Sequence, residues 1–295
     1  MKSKRILKHN IKPVFLMLIC LLVLFSFLST TAVSPANSLK LTFIANEGVL
    51  IETFSHKVLI DALFDNPNPE YAAPSPDILE KMVAGQPTFD KIDLVLVTHD
   101  HPDHFSASPA LRFLRNNPES KLVAAVDTIE SMKKSEKLWE SVKFRVIPAE
   151  MEVNSSHKIA IQGIDLSIFR TLHSGDIKTP WNLMFLLEMD GFTVLHEGDS
   201  DGKLETFEAL GLKGQILDLA LVHFWFPLHP VGSQIIQDFF QPEHIGLIHL
   251  PKRLFSDAPK RIEMIRKFYS DIFLLTESME SRLFHREARR FRSNQ

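Results

Sequence analysis

The sequence predicts a layered α/β fold in which two β-sheets pack together and helices cover their outer faces. Short apolar runs that indicate strands fall into two blocks, and helical patterns follow each block, which is the order expected of such a layered domain. Several of these runs also end in histidine or aspartate. A chain of 295 residues can hold one such domain of about 250 residues.

The first block contains predicted strands that are short and rich in branched apolar residues. They cover Leu39–Ile44, Gly48–Thr53, Lys57–Ile60, Ile92–Thr98, Leu122–Val126 and Lys143–Ile147. Helices are predicted at Asp77–Val83, Ser108–Asn117 and Thr128–Leu138 from their spacing and their end signals. Residues 65–90 are rich in proline. We expect them to form a loop beside the functional site, because long loops in compact domains are usually functional.

The second block contains the remaining predicted strands, with a hairpin turn indicated by Asp190-Gly191. The strands cover Lys158–Ile161, Ile164–Arg170, Leu183–Glu188, Phe192–His196, Ile216–Val222, Ile245–Leu250 and Ile272–Leu275. The predicted helices cover Leu204–Leu210, Gly232–Phe240 and Pro259–Tyr269. Basic residues near the end favour a solvated helix end and frayed terminus over an anion- or lipid-binding patch. They are Arg282, Arg286, Arg289, Arg290 and Arg292.

We expect residues 1–36 to form a segment that is separate from the folded part of the chain. Residues 37–295 are expected to form a single domain. Residues 1–13 carry five basic residues and no acidic one, residues 14–28 are apolar apart from one serine, and small residues follow. This order is typical of a secretory signal peptide, so we expect a periplasmic or secreted protein. The alternative is an uncleaved anchor that associates with a membrane through residues 14–28.

Composition excludes cysteine chemistry and disfavours nucleic-acid binding. The single cysteine, Cys20, lies in the predicted signal peptide, so the mature chain has no thiol to act as ligand or nucleophile. Loss of residues 1–36 removes five positive charges and no negative one, and moves the formal net charge from −3 to −8. An acidic protein is a poor nucleic-acid binder, so we expect a small-molecule substrate.

The segment His99-Asp100-His101-Pro102-Asp103-His104 predicts a metal site at the end of the strand Ile92–Thr98. Imidazole and carboxylate groups are ligands that zinc accepts. His99 and His101 are two residues apart, so an extended backbone points them to the same side. Pro102 then ends the strand, and the turn that follows can bring Asp103 and His104 to a second position.

Further candidate ligands lie where other predicted strands end. His173 follows Ile164–Arg170, Asp199 follows Phe192–His196, and His249 lies in Ile245–Leu250. Asp61 follows Lys57–Ile60 in the same way. One histidine at a strand end is more often a structural residue. Combined with the histidine-rich loop, however, this set contains enough ligands for two metal ions.

At these residues the chain resembles the metallo-β-lactamase fold superfamily, and within it the ascorbate-6-phosphate-lactonase-like hydrolases. The resemblance rests on Thr98–His104, His173, Asn182, the hairpin through Gly191, and His196-Glu197-Gly198-Asp199. It implies an αββα sandwich with a metal site at one edge. It further implies that His99, His101 and His173 bind a first ion, that Asp103, His104 and His249 bind a second, and that Asp199 bridges both. Asp61 would steady the histidine loop from behind.

The same resemblance implies a hydrolase with two divalent metal ions. Zinc is expected from the ligand types, and manganese or iron is compatible with them. A hydroxide bridging the two ions would attack a lactone, ester or phosphodiester bond, and Asp103 would orient it and pass on its proton. His223 could contact a substrate oxygen or protonate the leaving group, or it could simply be packed among aromatic residues. The sequence leaves the role of His196 open.

Departures from other branches narrow the function. A β-lactamase is disfavoured because His104 and Asp199 are present and no cysteine ligand is available, and a nuclease is disfavoured because no nucleic-acid-binding insertion is visible. Two alternatives stay open at this point. One is a membrane-anchored phospholipase- or phosphodiesterase-like enzyme, and the other is a non-catalytic metal-binding scaffold on the same fold.

Overall fold

The computed structural model describes residues 37–65, 68–175 and 181–286, and these residues form two seven-stranded sheets. The strands of the first sheet are β1 Ser38–Ala45, β2 Gly48–Glu52, β3 Lys57–Ile60, β4 Leu94–Leu96, β5 Lys121–Ala125, β6 Val146–Ala149 and β14 Ser281–His285. Their order is β14-β1-β2-β3-β4-β5-β6. Strands β3 to β6 are parallel, so their carboxyl ends lie at one edge of the sheet.

The second sheet has the same size and a matching parallel half. Its strands are β7 Ser155–Ile161, β8 Ile164–Thr171, β9 Asn182–Met189, β10 Phe192–His196, β11 Leu219–His223, β12 His244–Ile248 and β13 Ile272–Leu274. Their order is β13-β12-β11-β10-β9-β8-β7. Strands β10 to β13 are parallel, and β9 and β10 form the hairpin that Asp190-Gly191 predicts.

Side-chain alternation along the strands explains the layers. In β4, Leu94 and Leu96 belong to the core between the two sheets, whereas Val95 belongs to the core under the first helical layer. That layer consists of α1 Pro76–Val83, α2 Ala107–Asn116, α3 Val126–Lys133 and α4 Glu136–Val142. Helices on the second sheet are α5 Leu204–Ala209, α6 Pro230–Ile235 and α7 Ala258–Ile265. The predicted αββα arrangement is confirmed.

Some local predictions differ from the structure. The predicted strand Lys143–Ile147 begins as a 3-10 helix at Lys143–Arg145, and the strand there, β6, starts at Val146. The predicted helix Thr128–Leu138 is broken into α3 and α4, because Ser135 leaves the helical conformation with φ −98° and ψ 60°. The predicted helix end around Arg282 is wrong, since that residue lies in β14, which pairs with β1 and covers its edge. Of the five residues of β14, one, Phe284, is buried, so the strand carries almost no apolar pattern. The other basic residues beyond Arg286 lie outside the described residues.

The predicted signal peptide or anchor, residues 1–36, also lies outside the described residues. Among the residues that are described, no helix is long and apolar enough to span a membrane.

Candidate metal centre

Side chains from both sheets converge where the parallel strands end. The loop after β4 supplies His99, His101, Asp103 and His104. Four strands of the second sheet supply one residue each: His173 after β8, Asp199 after β10, His223 at the end of β11 and His249 after β12. The structure therefore brings together all seven predicted metal ligands, although they come from sequence positions as far apart as 99 and 249.

His99, His101, His173 and Asp199 form the first group of donor atoms. His99 Nε2 lies 3.1 Å from His101 Nδ1, and His173 Nε2 lies 3.0 Å from Asp199 Oδ2. His99 Nε2 is 3.8 Å from the same Asp199 oxygen. Tetrahedral zinc with bonds of about 2.0–2.1 Å separates its ligand atoms by about 3.3 Å. The spacing in this group therefore fits one such ion.

The second group contains Asp103, His104 and His249. His249 Nε2 lies 3.8 Å from Asp103 Oδ2, and Asn46 Nδ2 donates to that oxygen at 3.2 Å. The other oxygen of Asp199, Oδ1, faces this group at 3.6 Å from His249 Nε2 and 3.7 Å from His104 Nε2. The two carboxylate oxygens of Asp199 thus face different groups.

Several atoms at this centre are buried and close to one another without being aligned for hydrogen bonds. His173 Nε2 and Asp199 Oδ1 make no hydrogen bond to the described residues, yet each has a potential partner 3.0 Å away. Buried polar atoms without a hydrogen-bond partner lower stability. Ligand atoms around one cation lie close together without hydrogen bonds between them, because each of them points at the ion. The donor atoms therefore fit a metal centre.

The carboxylate of Asp61 orients two of the histidines from behind. Asp61 Oδ1 accepts the Thr98 backbone N–H at 2.9 Å, and Oδ2 accepts the Thr98 hydroxyl at 2.5 Å. Because the proton of that hydroxyl is used toward Asp61, the hydroxyl oxygen accepts a hydrogen bond from the N–H of His99 Nδ1, 2.9 Å away. His104 Nδ1 also donates to Asp61 Oδ2, at 2.9 Å. Both rings are thereby fixed in the tautomer that leaves Nε2 free for a metal.

His173 reaches the same tautomer by another contact. Its Nδ1 donates to the backbone carbonyl of Ser174 at 2.6 Å. His101 differs, because the atom it presents to the first group is Nδ1. His99, His104 and His173 are thus each held from behind through Nδ1, with Nε2 directed toward the centre.

Burial and mutual charge set the protonation of the centre. Burial holds the pKa of His99 well below its ordinary value and that of His249 at about 3, so both rings are neutral and able to bind a metal. Burial by itself would raise the pKa of Asp199, but His249, His223 and His104 hold it well below the ordinary value. Asp199 is therefore an ionised carboxylate. Burial would lower the pKa of His104, but Asp199 and Asp61 raise it to about 10. Without a metal its Nε2 therefore carries a proton at neutral pH, and a metal bound at this atom would replace that proton.

The structure assigns a contact between the sheets to His196, whose role the sequence leaves open. His196 Nδ1 accepts the Gly198 N–H at 3.2 Å, so its Nε2 carries the proton and donates to the Glu47 carbonyl at 3.1 Å. The ring thus joins the end of β10 to the turn between β1 and β2. Both of its ring nitrogens are thus occupied by hydrogen bonds in this arrangement, although the ring lies near the carboxylates of Glu47 and Asp61.

Asn182 holds the backbone that carries Asp199. Its Oδ1 accepts the Asp199 N–H at 2.9 Å, and its Nδ2 donates to Thr171 Oγ1 at 2.9 Å and to the Glu197 carbonyl at 3.0 Å. The amide oxygen and both amide N–H groups of Asn182 are therefore used in hydrogen bonds. Asn182 is therefore a positioning residue for the carboxylate between the two groups.

His223 is almost fully buried and lies between two carboxylates. It is 2% exposed, and both ring nitrogens face carboxylates. Nδ1 is 3.2 Å from Glu197 Oε1, and Nε2 is 3.0 Å from Asp199 Oδ1. A substrate atom that bonds to His223 would have to displace one of these contacts. The predicted role of His223 as a proton donor to a leaving group stays a prediction.

The sequence does not identify two buried acidic residues that lie next to the centre. Glu47 lies in the turn between β1 and β2, and Glu197 follows β10; both are fully buried. Burial raises the pKa of each, and the nearby charge of Asp199 raises that of Glu47 further. A signal was available for Glu197, which stands next to His196 at a strand end. Glu47 occupies an ordinary hairpin turn, where an acid carries no such signal.

Three residues of the centre have left-handed backbone conformations. They are Asn46 with φ 52°, Asp61 with φ 44° and His249 with φ 54°. Residues other than glycine adopt this region at a cost of about 1–3 kcal/mol each, and they cluster at functional sites. Packing of the two sheets therefore holds these side chains where local preference alone would not.

An open cavity of about 650 Å³ leads to the centre. His173, Asp199, His223 and His249 form its floor, and its walls include Tyr71, Phe224, Trp225, Leu228, His229, Arg253, Leu254 and Arg261. The segment 223–229 contributes five of the residues that line the cavity. The proline-rich loop contributes Tyr71, whose ring centroid lies 4.2 Å from that of His249. Both arginines are paired, Arg253 with Glu70 and Arg261 with Asp257.

Comparisons with known proteins agree with this fold. A family model described as the beta-lactamase superfamily domain matches residues 56–258. A UPF0173 metal-dependent hydrolase of Saccharolobus solfataricus is 30% identical over 154 residues, 52% of this chain and 58% of the relative. One from Sulfolobus acidocaldarius is 28% identical over 162 residues, 54% of this chain and 65% of the relative. These alignments thus span less than two thirds of either relative.

Among solved structures, Igni18, a metallo hydrolase from Ignicoccus hospitalis, aligns with a TM-score of 0.60 and 17% identity. That alignment covers 85% of this chain and all of Igni18. At this identity the likeness is one of fold.

Proposed function

The chain belongs to the family described as the beta-lactamase superfamily domain. From this membership and the geometry of the centre, we propose that it is a metal-dependent hydrolase with two metal ions. The observation that carries the proposal is the convergence of two donor groups, sharing Asp199, on the floor of one cavity. His99, His101 and His173 would hold one ion, Asp103, His104 and His249 the other, and Asp199 would contact both. The ligand types favour zinc and are compatible with manganese or iron.

Two bound ions would supply a water of lowered pKa and polarise the bond to be cleaved. The residues of the chain then have separate tasks. Asp103, whose Oδ2 is held by Asn46 at 3.2 Å, would accept a proton from that water and deliver it to the leaving group. Asp61 and Asn182 keep the ligands in place. In this proposal the nucleophile is the water supplied by the ions, so hydrolysis would require no covalent enzyme intermediate.

The substrate is a small molecule with a lactone, ester or phosphodiester bond. A cavity of about 650 Å³ falls in the range of about 300–1,000 Å³ typical of small-molecule sites. Trp225, Leu228 and Leu254 offer apolar surface, and Tyr71 and His229 offer polar groups. Burial raises the pKa of Tyr71 to about 12. Its hydroxyl therefore stays protonated and can donate a hydrogen bond to a substrate oxygen.

Metal content and hydrolysis measured together test this function. We expect two transition-metal ions per chain by elemental mass spectrometry, and turnover of at least one member of a panel of lactones, esters and phosphodiesters. His101→Ala is expected to lose metal and activity together. His244→Ala is the matched control, because His244 lies at the opposite end of β12 from His249 and bonds to Asp271 at 2.9 Å. An unmutated protein that binds no metal would contradict the proposal.

Export, or anchoring through residues 14–28, is a separate proposal supported by the pattern of residues 1–36. Cell fractionation with N-terminal sequencing tests it. A mature terminus near residue 37 in the soluble exported fraction supports cleavage. An intact terminus in carbonate-washed membranes supports the anchor instead, and an intact terminus in the cytosol contradicts both.

A further inference from the structure

We propose that the second metal ion takes two further ligands, His223 Nε2 and a carboxylate oxygen of Glu47, beyond those of the histidine loop. Glu47, His223, Asp199 and His249 present donor atoms that all lie within 4.8 Å of one another. This inference rests on the proposed binuclear function and deepens it. It assigns a ligand role to one residue expected to act on substrate and to another that the sequence analysis does not single out.

The buried and unpaired carboxylate of Glu47 gives the strongest support for this ligand set. The side chain is fully buried, and neither of its oxygens has a hydrogen-bond partner among the described residues. The nearest imidazole nitrogens, His223 Nε2 and His104 Nδ1, lie 3.6 and 3.8 Å away. A buried carboxylate without a partner is costly enough that such groups are normally paired or bound to a metal. Glu47 therefore needs a cation, or a proton, that the surrounding side chains do not supply.

His223 is held as metal-binding histidines are held. Glu197 Oε1 accepts the His223 backbone N–H at 2.9 Å and lies 3.2 Å from the ring atom Nδ1. Glu197 is itself fully buried. With the proton on Nδ1, the lone pair of Nε2 faces Asp199 Oδ1 at 3.0 Å. A carboxylate behind a histidine in this way fixes its tautomer for a metal, as Asp61 does for His104.

Spacing and charge agree with a shared ion. From Asp199 Oδ1, His223 Nε2 lies at 3.0 Å and His249 Nε2 at 3.6 Å, close to the separation of about 3.3 Å between ligands of one zinc ion. Three buried carboxylates, Glu47, Glu197 and Asp199, surround one imidazole here. A divalent cation offsets this negative charge better than one proton on the ring does.

The competing arrangement is a protonated His223 that pairs with Asp199 and Glu197 while Glu47 carries a proton. The two arrangements differ at His223 Nε2 and at Glu47, each of which binds the metal in one arrangement and a proton in the other. Nitrogen NMR of the histidine rings distinguishes them in the unmutated protein. The experiment uses the full-length chain with ¹⁵N-labelled histidine and zinc as the probe.

On titration with zinc, we expect the His223 Nε2 resonance to move from its metal-free position to that of a metal-bound nitrogen with the second equivalent. A spectrum of His223→Gln assigns the signal. In parallel, Glu47→Gln and His223→Gln are expected to weaken binding of the second zinc at least about tenfold, measured by chelator competition, with the first zinc unchanged. Circular dichroism of each metal-free variant checks that it is folded.

Matched controls come from the same elements. One control is Glu52→Gln. Glu52 lies at the end of the β1–β2 hairpin that is away from Glu47, and it pairs with Lys40 at 3.0 Å. His244→Gln lies on the strand next to that of His223. Both are expected to keep two zinc ions at unchanged affinity.

The inference is overturned if His223 Nε2 stays protonated in the two-zinc protein, or if both variants bind the second zinc as tightly as the unmutated chain does. A chain that binds one zinc and still hydrolyses substrate also overturns it, while leaving a hydrolase function in place. A chain that binds no zinc removes the proposed function as well. These outcomes separate failure of the inference from failure of the function.

Discussion

At the scale of single residues, the centre depends on side chains that do not touch a metal. Asp61 accepts hydrogen bonds from the backbone and hydroxyl of Thr98 and from His104, and through Thr98 it also fixes His99. One carboxylate thus sets the tautomer of a histidine from each donor group. Its position after β3 makes Asp61 a candidate ligand, and the resemblance to the metallo-β-lactamase fold superfamily implies its supporting role. The link through Thr98 required the structure, because it depends on the direction of one hydroxyl proton.

Asp61→Asn is expected to weaken metal binding by about 10–100-fold. The amide that replaces Oδ2 presents N–H groups to His104 Nδ1–H and to the Thr98 hydroxyl, so donors face donors. The loss of buried hydrogen bonds is also expected to lower the free energy of unfolding by about 1–3 kcal/mol. Chelator competition and urea denaturation measure the two effects.

Asp93→Asn is the matched control for that substitution. Asp93 accepts the Lys57 N–H at 2.8 Å at the other end of β3 and β4, away from the donor groups. It should cost some stability and leave metal affinity unchanged. Equal metal affinity in the Asp61 variant and the unmutated chain would remove the orienting role assigned to Asp61.

At the scale of elements, the turn after β10 places Asp199 by a close approach between the sheets. Gly198 adopts φ +56°, and a Cβ built there would meet Asn182 Oδ1 at 2.4 Å and Thr98 side-chain atoms at 2.9 Å. No other residue type fits this position without moving Asn182 or Thr98. Both of these neighbours hold parts of the centre. The glycine is therefore required by packing as well as by backbone conformation.

Gly198→Ala is expected to lower the free energy of unfolding by about 2–5 kcal/mol, from left-handed strain and overpacking combined. It should also weaken metal binding, because Asp199 moves with the turn. Thermal or chemical denaturation and zinc competition measure these changes.

Gly211→Ala separates the two contributions. Gly211 has a similar φ of +67° but nothing within 4 Å of the added Cβ, so it carries the strain alone, about 1–2 kcal/mol. If the two alanine variants lose the same stability and bind zinc equally, the close approach at Gly198 has no consequence.

At the scale of the whole molecule, the donor groups join the two sheets. One loop of the first sheet and three strand ends of the second contribute to them. A metal bound there connects residues as far apart in sequence as His99 and His249. Binding of the ions and stability of the sandwich are therefore coupled, since the unfolded chain does not hold these groups together.

Removal of metal is accordingly expected to lower the unfolding midpoint. Free zinc at 100 times the dissociation constant should stabilise the fold by about 2.7 kcal/mol per site relative to the chelated protein. Magnesium is the control, because it prefers oxygen ligands and octahedral geometry, and it should give a much smaller shift. Identical unfolding curves with zinc and with chelator would show that the centre does not link the sheets.

The sequence by itself determined the strand-rich layered fold, the kinds of ligand and their location. Short runs rich in branched apolar residues predict strands, and polar groups placed where such runs stop are poor core formers. His99, His173, Asp199 and His249 were found in this way. These are local patterns, readable within a few residues of the chain.

Tertiary structure alone decided the arrangements that depend on contacts between distant segments. The carboxylate of Glu47 meets His223 across 176 positions of the sequence, His196 joins the sheets through the Glu47 carbonyl, and β14 pairs with β1 despite its polar surface. No local periodicity encodes these contacts. The contacts of Glu47 and His196 arise because the two sheets pack with the carboxyl ends of their parallel strands at one edge, whereas β14 is held by backbone pairing within the first sheet.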